Sequence, residues 1–370
     1  MYSRGYLIEV HIADLHFGAF DPKTQYDILM EQFLEPISKF PRIDIIVIDG
    51  DTFDHKVMSS SDTAMYAVNF VDHLVDLARE KGSTLVILGG TASHEANQLK
   101  LFYHYMEDPT VDVRVVTNIQ FEDIKGAKIL CVPELNGLDE SIYNKFFHET
   151  CWYDEAFCHG TFEGSVYGNL TSGNSRLLTA HDFDHLKGVA ISGHVHKPGC
   201  FEGFYYYCGC PYRWKFGEEE EKGYLVLVHD LDTQIQYVEF EPIKSFRYDT
   251  IYLDELVSED PKRIIDYINT RKQKDGIDYI KVRFRYPVSG PNKTVINNYY
   301  RNVNDTFVEF MDTEEIQKQQ KEQEIQNTEY SYLLDNSISD LDRFVRYVNE
   351  KEGSEFITVE KLTSLLQDSV

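Results

Sequence analysis

The sequence predicts a layered α/β fold, and three features of the chain support this prediction. Nearly continuous apolar strands alternate with amphipathic helices through the first half of the chain. Strands of this kind belong to sheets that are covered on both faces. Aspartate and histidine residues follow these strands directly, and the functional groups of α/β proteins gather at the carboxyl ends of their strands.

The elements follow from the spacing of the apolar residues. Strands are predicted at residues 7–12, 43–48, 84–88, 111–116, 128–132, 153–158 and 188–192. Helices are predicted at residues 25–40, 61–80 and 139–147, where apolar residues recur at helical spacing. The pattern of antiparallel strands recurs at residues 203–208, 223–229 and 235–240, and we expect these strands to complete a second sheet.

The composition of the chain changes after Pro242, and this change sets the predicted domain boundaries. The predicted parts are a large domain at residues 1–243, a small α+β domain at 244–311, a polar linker at 312–329 and C-terminal helices at 330–370. The last segment has two amphipathic helical patterns, which usually dock on the parent domain or on a partner.

The bulk composition constrains the function. A net charge of −26 over 370 residues repels nucleic acid at long range and argues against a simple DNA-binding module. A metallonuclease is affected less, because bound cations reverse the local field. No apolar run approaches the ~20 residues of a membrane span and no signal peptide is evident, so we expect a cytoplasmic protein with no membrane partner. The six cysteines lack Cys-x-x-Cys spacing and are expected to be reduced and mostly buried.

Two histidines after the strand at residues 188–192 are candidate metal ligands. His194 and His196 lie two residues apart, so their side chains point to the same face of the chain. A pair of surface histidines explains these two residues equally well when they are taken alone. The choice depends on whether further ligands follow other strands.

Further potential ligands do follow other strands. Asp14 and His16 repeat the two-residue spacing after the first strand. Asp51 follows the second strand, and His159 follows the strand at residues 153–158. Carboxylates and imidazoles without thiolates suit Mn²⁺, Fe²⁺ or Zn²⁺, and these ligands are more than one ion needs. Two ions that share Asp51 would clamp a phosphate and activate a water for in-line attack on phosphorus.

The motifs at these strand ends resemble those of calcineurin-like metallophosphoesterases. The motifs are Asp14-x-His16, Gly50-Asp51, His159-Gly160 and Gly193-His194-Val195-His196. Further motifs resemble the SbcD-type DNA-repair nucleases of bacteria and phages, namely Phe53-Asp54, Phe183-Asp184 and a stretch that begins with Gly209-Cys210-Pro211-Tyr212-Arg213-Trp214 and ends with Lys222-Gly223. The resemblance covers residues 6–240 and continues loosely into the small domain.

The resemblance implies a fold and a metal site. The fold is a four-layer α/β/β/α metallophosphoesterase sandwich with a small α+β capping domain and C-terminal helices. The site holds two divalent metal ions, with Mn²⁺ expected first and Mg²⁺, Fe²⁺ or Zn²⁺ as alternatives. The ligands of one ion would be Asp14, His16, Asp51 and His196, and those of the other Asp51, His159 and His194.

The resemblance also implies a function. It is that of a DNA exo/endonuclease in DNA repair or recombination, whose partners are DNA and an SbcC-type coiled-coil ABC ATPase that binds the C-terminal helices. A homodimer is a further expectation. Two alternatives stay open: a phosphatase or phosphodiesterase acting on a small nucleotide or phosphoprotein, which the acidic surface tolerates better, and a scaffold subunit with a degenerate metal site. A stand-alone phosphatase has no need of the C-terminal helix pair.

One motif departs from the family pattern. The family has Gly-Asn-His followed by an acid, whereas residues 90–95 read Gly-Thr-Ala-Ser-His-Glu. His94 keeps its place before the acid, and we expect it to stabilise the transition state or to protonate the leaving oxygen. Ser93 replaces the asparagine ligand by adjacency, or Thr91 by its distance from the strand, or Asn97 or a water takes that place. A hydroxyl is a weaker ligand than an amide, so the second metal ion is expected to bind less tightly.

Other residues near these motifs are candidates for contact with the substrate. His55 is a candidate catalytic helper, or a surface residue beside Asp54. Arg213 and Lys215 are candidates for binding phosphates, or else belong to a solvated hairpin. The acidic run at residues 218–221 is expected to be a charged turn.

Overall fold

The computed structural model describes residues 5–95, 97–134, 140–148, 151–165, 176–218, 220–311, 340–352 and 358. The chain forms two compact units, Met1–Tyr248 and Asp249–Val370. The composition shift places the boundary slightly earlier, after residue 243.

The described residues contain these strands and helices. The strands are β1 (Tyr6–Ile12), β2 (Ile45–Asp49), β3 (Thr84–Leu88), β4 (Asp112–Val116), β5 (Gln120–Ile124), β6 (Ala127–Val132), β7 (Glu155–His159), β8 (Ala190–Gly193), β9 (Gly199–Phe201), β10 (Tyr205–Tyr207), β11 (Lys222–Asp230), β12 (Ile235–Ile243), β13 (Tyr248–Leu253), β14 (Tyr279–Phe284) and β15 (Thr306–Phe310). The helices are α1 (Pro22–Leu29), a π-helical turn (Met30–Leu34), α2 (Glu35–Ser38), α3 (Asp62–Lys81), α4 (Ala92–Glu95), a 3₁₀ helix (Gln98–Glu107), α5 (Glu140–Phe147), a 3₁₀ helix (Ala180–Phe183), α6 (Pro261–Asp275), α7 (Gly290–Tyr300) and α8 (Asp340–Glu352).

The first unit contains two six-stranded sheets. Their strand orders are β12-β11-β1-β2-β3-β4 and β5-β6-β7-β8-β10-β9. Strands β1 to β4 run parallel to one another, and so do β6, β7, β8 and β10. The predicted α/β fold class is confirmed, and its parallel strands end in the loops that carry the predicted ligands.

Alternating side chains of the strands separate the layers of this unit. Ile46 and Ile48 of β2 belong to the apolar cluster that includes residues of α1 and α3. Ile45 and Val47 of the same strand point the other way, into a cluster shared with β6 and β7 of the second sheet. A third cluster packs α5 against the second sheet. These three cores produce the predicted α/β/β/α order.

The prediction that the late strands complete the second sheet is wrong in part. Strands β9 and β10 do join that sheet, but β10 runs parallel to β8. Strands β11 and β12 instead extend the first sheet, where β11 pairs antiparallel with β1. The hairpin pattern predicts only that β11 pairs with β12. The sheet that this hairpin joins depends on which strand, distant in the sequence, has an unpaired edge, and here that strand is β1.

Local signals fix the ends of α3, the longest described helix. The Ser61 side chain accepts a hydrogen bond from the backbone N–H of Ala64, which caps the first turn. Gly82 ends the helix with φ of 65°, a left-handed conformation that glycine adopts without strain. The predicted helix at residues 61–80 is therefore confirmed with a shift of one residue at each end.

The second unit has a separate core. Its three-stranded sheet has the order β13-β14-β15, and α7 forms the crossover between the parallel strands β14 and β15. Ile264 and Ile268 of α6 pack with Ile280 and Val282 of β14. Helix α8 belongs to the chain segment of the predicted C-terminal helices, whereas the predicted linker and the second of those helices lie outside the described residues. In the described residues, no helix combines the length and apolar character needed to cross a bilayer.

The six cysteines are free, as predicted. Cys131, Cys158, Cys208 and Cys210 are buried, whereas Cys151 and Cys200 are exposed. A set of buried thiols without disulfides is consistent with a core that is stabilised by packing alone.

Replacement of Gly223 by alanine should destabilise the first unit. A Cβ atom at this position of β11 would lie 2.0 Å from the carbonyl oxygen of Glu241 in β12, so the strands would have to separate. We expect Gly223→Ala to lower the free energy of unfolding by about 1–3 kcal/mol in urea titrations. The control is Gly199→Ala, whose Cβ would lie 3.5 Å from Phe201 and should have little effect. Equal stability of the two variants would contradict this account.

Candidate metal centre

The loops after β1 and β2 are joined by backbone hydrogen bonds. The N–H of Asp14 donates to the carbonyl of Gly50 at 3.1 Å, and the N–H of His16 donates to the carbonyl of Asp51 at 2.9 Å. Gly50 permits a close approach here, since a Cβ atom would lie 2.1 Å from Nδ1 of His159. Side chains that follow two different strands are thereby held at one place.

Four of the predicted ligands have unusual backbone conformations. Positive φ angles occur at Asp14 (53°), His16 (44°), Asp51 (48°) and His194 (84°). Such angles are uncommon outside glycine and cost of order 1 kcal/mol or more each. Strain of this kind concentrates at functional sites.

Asp14, His16 and His196 form the first group of potential ligands. One ligand atom from each lies within 4.8 Å of the others. The Nε2 atoms of His16 and His196 are 3.1 Å apart. The Asp14 carboxylate also accepts hydrogen bonds from the N–H of His194 at 2.9 and 3.1 Å, which joins the β1 loop to the β8 loop.

Asp51, His159 and His194 form the second group. Their ligand atoms also lie within 4.8 Å of one another. Nδ1 of His159 donates to the carbonyl of Asp49 at 2.8 Å, so its Nε2 faces Oδ2 of Asp51 at 3.3 Å. A proton or a metal cation must lie between this nitrogen and the carboxylate, because two unprotonated acceptors would repel each other at this distance. Although burial lowers the pKa of His159, the Asp51 carboxylate raises it well above the usual range of an imidazole.

Asp51 lies at the centre of the site. It belongs to the second group and to a third group with His16 and His94, and His16 is also a member of the first group. Asp51 is therefore the residue that two ions would share. Burial raises the pKa of its carboxyl, but the charge of His159 and hydrogen bonds from His159 and His94 hold that pKa well below its usual range. The carboxylate is therefore ionised although the residue is almost completely buried.

His94 lies beside Asp51 and remains accessible. Its Nδ1 is 2.9 Å from Oδ2 of Asp51, and its side chain is 33% exposed. The hydrogen bond to Asp51 raises the pKa of His94 against the effect of burial. A protonated imidazole that faces solvent next to a phosphate site can stabilise negative charge or donate a proton, as the sequence predicts for His94.

The structure distinguishes Thr91 from the other proposed replacements for the family asparagine. The N–H of Thr91 donates to Asp51 at 2.5 Å, and its hydroxyl lies 3.1 Å from Asp51 and 3.5 Å from Nε2 of His159. Ser93 and Asn97 are both exposed, whereas Thr91 is buried. The position next to His94 does not identify the replacement, because the two extra residues of this motif lie in the short helix α4.

Sequence reasoning missed Glu134. Its Oε2 accepts a hydrogen bond from the Thr91 hydroxyl at 2.7 Å and lies 3.4 Å from Nδ1 of His194. The residue comes two positions after β6, just as Asp51 comes two positions after β2. The same strand-end argument that predicts the other ligands would therefore have found it.

Glu95 links the backbone around the centre. Its carboxylate accepts hydrogen bonds from the N–H of Thr52 and the N–H of Gly90, both at 2.6 Å. Burial and the charge of Asp51 raise the pKa of Glu95 to about 7. A Cβ atom at Gly90 would lie 2.2 Å from the nitrogen of Asp51, so the close approach of these two loops requires glycine.

The acidic run at residues 218–221, which the sequence predicts to be a charged turn, includes a residue that contacts the centre. Glu218 is buried, and its Oε1 lies 3.2 Å from Nδ1 of His196. This contact directs the other nitrogen of His196 toward His16. Lys222, also buried, donates to the carbonyl of His196 at 2.9 Å. The spacing of this segment gave no sign of these contacts, because they join positions 22 and 26 residues apart.

The candidate substrate-binding residues occupy different environments. The guanidinium of Arg213 donates to the carbonyl of Glu220 at 2.7 and 3.0 Å, so it supports the local turn. Lys215 is 53% exposed and lies 3.8 Å from Glu218. His55 is 58% exposed and contacts Asp54, which in turn lies 3.7 Å from Nδ1 of His16. One residue therefore lies between each of these side chains and a candidate ligand: Glu218 between Lys215 and His196, and Asp54 between His55 and His16.

A buried polar layer supports the centre from between the two sheets. His11 contacts Asp49 at 2.9 Å and Glu9 at 3.2 Å, and all three side chains are inaccessible. Burial lowers the pKa of His11, but the charge of Asp49 and hydrogen bonds raise it to about 10. The carbonyl of the same Asp49 fixes His159. The orientation of that ligand therefore depends on the interior of the sandwich.

The arrangement fits divalent metal ions. The donors of these two groups are carboxylates and imidazoles without thiolates, with the Thr91 hydroxyl beside them, and the shared carboxylate of Asp51 is ionised. Asp14, His16 and His196 would hold one ion together with Asp51, whose Oδ2 lies 3.8 Å from Nε2 of His16. Asp51, His159, His194 and Thr91 would hold the other. When bound, such ions stabilise the charge of a phosphate as Lewis acids.

Comparison with known proteins identifies the family. The family model for calcineurin-like phosphoesterases matches residues 10–198, just over half of the 370 residues. This chain belongs to the calcineurin-like phosphoesterase family, whose members hydrolyse phosphoesters with divalent metal ions. The matched region contains every one of the predicted ligands.

The other comparisons add nothing to this family assignment. None of the curated proteins matches the chain. One solved crystal structure is 14% identical and covers 64% of this chain and 99% of its own, with a TM-score of 0.40.

Removal of the Thr91 hydroxyl should weaken one of the two metal sites. We expect calorimetric titration of the wild-type protein with Mn²⁺ to give one tight and one weaker site, because a hydroxyl is the poorer ligand. Thr91→Val should weaken the second site about tenfold, and Ser93→Ala should change neither. Two equally tight sites in the wild type, or a loss in Ser93→Ala, would overturn the assignment of Thr91.

Loss of the Glu218 carboxylate should disturb His196. In Glu218→Gln the amide cannot hold the Nδ1 proton of His196 as firmly, so Mn²⁺ affinity at the first site should fall about tenfold or more. The matched control is Glu221→Gln, which removes the same charge from an exposed position of the same segment. Mn²⁺ titration of hydrolysis of a p-nitrophenyl phosphoester measures both. Identical metal dependence in the two variants would show that Glu218 does not position His196.

Proposed function

We propose that this chain is a Mn²⁺-dependent DNA exo/endonuclease and the nuclease subunit of a complex with an SbcC-type coiled-coil ATPase. The observation that carries the catalytic part of the proposal is the Asp51 carboxylate, which is common to two groups of potential ligands and lies beside the accessible His94. A shared carboxylate between two ion sites is the arrangement used for phosphodiester hydrolysis.

The segment that resembles SbcD-type nucleases forms part of the wall of the centre, and this supports a nucleic-acid substrate. The Trp214 ring meets His16 and His196 edge-on, with ring centroids 4.5 and 5.1 Å apart. Lys215 lies 5.8 Å from the centroid of Trp214. An aromatic ring beside a cation is a common means of binding a base together with its phosphate.

The net charge of −26 opposes binding of DNA and determines how activity should depend on salt. Binding must depend on the cations at the centre and on local groups such as Lys215, so activity should fall steeply with salt. The same charge is the observation that favours the second candidate, a phosphatase or phosphodiesterase for a small phosphoester. The full set of ligands around Asp51 argues against a degenerate scaffold.

The ATPase partnership rests on the C-terminal segment. Helix α8 exposes Phe344, whose side chain is 52% accessible. An exposed aromatic residue on a charged helix is consistent with a docking helix. Deletion of residues 340–370 should abolish co-purification with such an ATPase and leave hydrolysis of small phosphoesters intact.

Hydrolysis of DNA ends tests the proposed activity. Purified protein with Mn²⁺ should degrade single- or double-stranded DNA, and Asp51→Asn should lower the rate about 10²–10³-fold because the shared ligand is lost. Asp27→Asn, which changes an exposed carboxylate of α1, is the matched control and should be fully active.

The other outcomes discriminate between the candidates. If DNA stays intact with and without an ATPase partner while p-nitrophenyl phosphoesters are cleaved, the nuclease assignment fails and the phosphatase assignment holds. If Asp51→Asn is as active as the wild type on every substrate, the metal centre itself is assigned wrongly.

A further inference from the structure

A second cluster of potential metal ligands lies apart from the centre, on the outer side of the first unit. His148 follows the last residue of α5, and His181 and Asp184 lie in and just after the 3₁₀ helix Ala180–Phe183. One ligand atom from each of the three residues lies within 4.8 Å of the other two. The imidazole rings of His148 and His181 stack with centroids 4.6 Å apart.

The segment that carries His148 is held in place. The N–H of His148 donates to the carbonyl of Asn144 at 2.8 Å, which completes the last turn of α5. The carbonyl of the preceding residue, Phe147, accepts from His185 at 3.0 Å. The Phe147 and Phe183 rings also meet edge-on at 5.5 Å. The end of α5 is therefore fastened to the 3₁₀ helix.

The segment that carries His181 and Asp184 is equally well fixed. Thr179 and Asp182 form a capping box at the start of the 3₁₀ helix. The buried Asp182 also accepts from the guanidinium of Arg176 at 2.6 Å. The side chains on both segments therefore start from ordered backbone, which lowers the entropic cost of gathering them around an ion.

The charges and donor atoms of this cluster favour a transition-metal ion. Oδ1 of Asp182 lies 3.7 Å from Nε2 of His148, and Oδ2 of Asp184 lies 2.5 Å from Nδ1 of His181. Two carboxylates outweigh the single guanidinium of Arg176, so a divalent cation is electrostatically favoured when the imidazoles are neutral. Two imidazoles and one carboxylate suit Zn²⁺ far better than Mg²⁺ or Ca²⁺.

We propose that His148, His181 and Asp184 form a peripheral site for a divalent transition-metal ion of the Zn²⁺ class. The side chains of His181 and Asp184 are 77% and 53% exposed, so solvent can complete the coordination. The proposal does not depend on the reaction that the main centre catalyses.

The position of the site gives the ion a structural role. Arg176 packs on the rings of Tyr143 and Phe147 of α5, with its guanidinium carbon 5.1 and 5.4 Å from their centroids. Arg176 and Tyr143 also line a small cavity together with His159 and Glu134 of the main centre. An ion that clamps the end of α5 to the 3₁₀ helix would stabilise this wall.

Zinc binding to the full chain tests the proposal. In calorimetric titrations with Zn²⁺, the wild type should show one binding equivalent whose affinity falls about tenfold or more in His181→Ala. At low zinc concentration the variant should therefore bind one ion fewer. Crystals soaked in Zn²⁺ should give an anomalous peak between the three side chains. His181 is highly exposed, so the variant should fold normally, which circular dichroism checks.

His104→Ala is the control, because it removes an exposed histidine elsewhere in the same unit. It should keep every zinc equivalent. The proposal is wrong if His181→Ala and His104→Ala bind the same number of ions with the same affinity, or if soaked crystals hold zinc at the main centre alone.

Discussion

The buried charge of Asp51 is the constraint on which the rest of the site depends. A carboxylate removed from water is strongly destabilising unless donors or cations surround it. Here the N–H and hydroxyl of Thr91 and the imidazoles of His94 and His159 approach its two oxygens. The structure gathers groups from three strand ends, β2, β3 and β7, around this one charge. A site that compensates a negative charge so fully is also one that a divalent cation can enter by displacing protons from histidine.

The sandwich fold makes that convergence possible, because both sheets direct their parallel strands into the same group of loops. Asp14, Asp51 and Thr91 follow strands of the first sheet, whereas Glu134 and His194 follow strands of the second. The polar layer of Glu9, His11 and Asp49 extends the support inward, since the Asp49 backbone orients His159. Positive φ angles at four candidate ligands add strain to the backbone, and the packing of the two sheets around the site must offset it.

The candidate metal ligands were found from the sequence because they obey a local rule. Period-two alternation and strand-end placement locate Asp14, His16, Asp51 and the histidines of β7 and β8 without knowledge of any distant contact. The rule also applies to Glu134, which was missed only because Pro133-Glu134 carries no recognisable motif. The choice between Ser93 and Thr91 could not be made in this way. It depends on the direction in which α4 carries its side chains, and four residues give too little periodicity to predict it.

The sequence by itself determined the fold class, the alternation of strands and helices, and six candidate ligands, because these follow from the pattern of apolar residues and from the residues that come directly after each strand. Only the tertiary structure decided that β11 joins β1, that Glu218 orients His196 and that His148 meets His181. Each of these is a contact between residues far apart in the chain. Such contacts depend on which edges and side chains are left open after the local elements have packed, and no local pattern encodes that outcome.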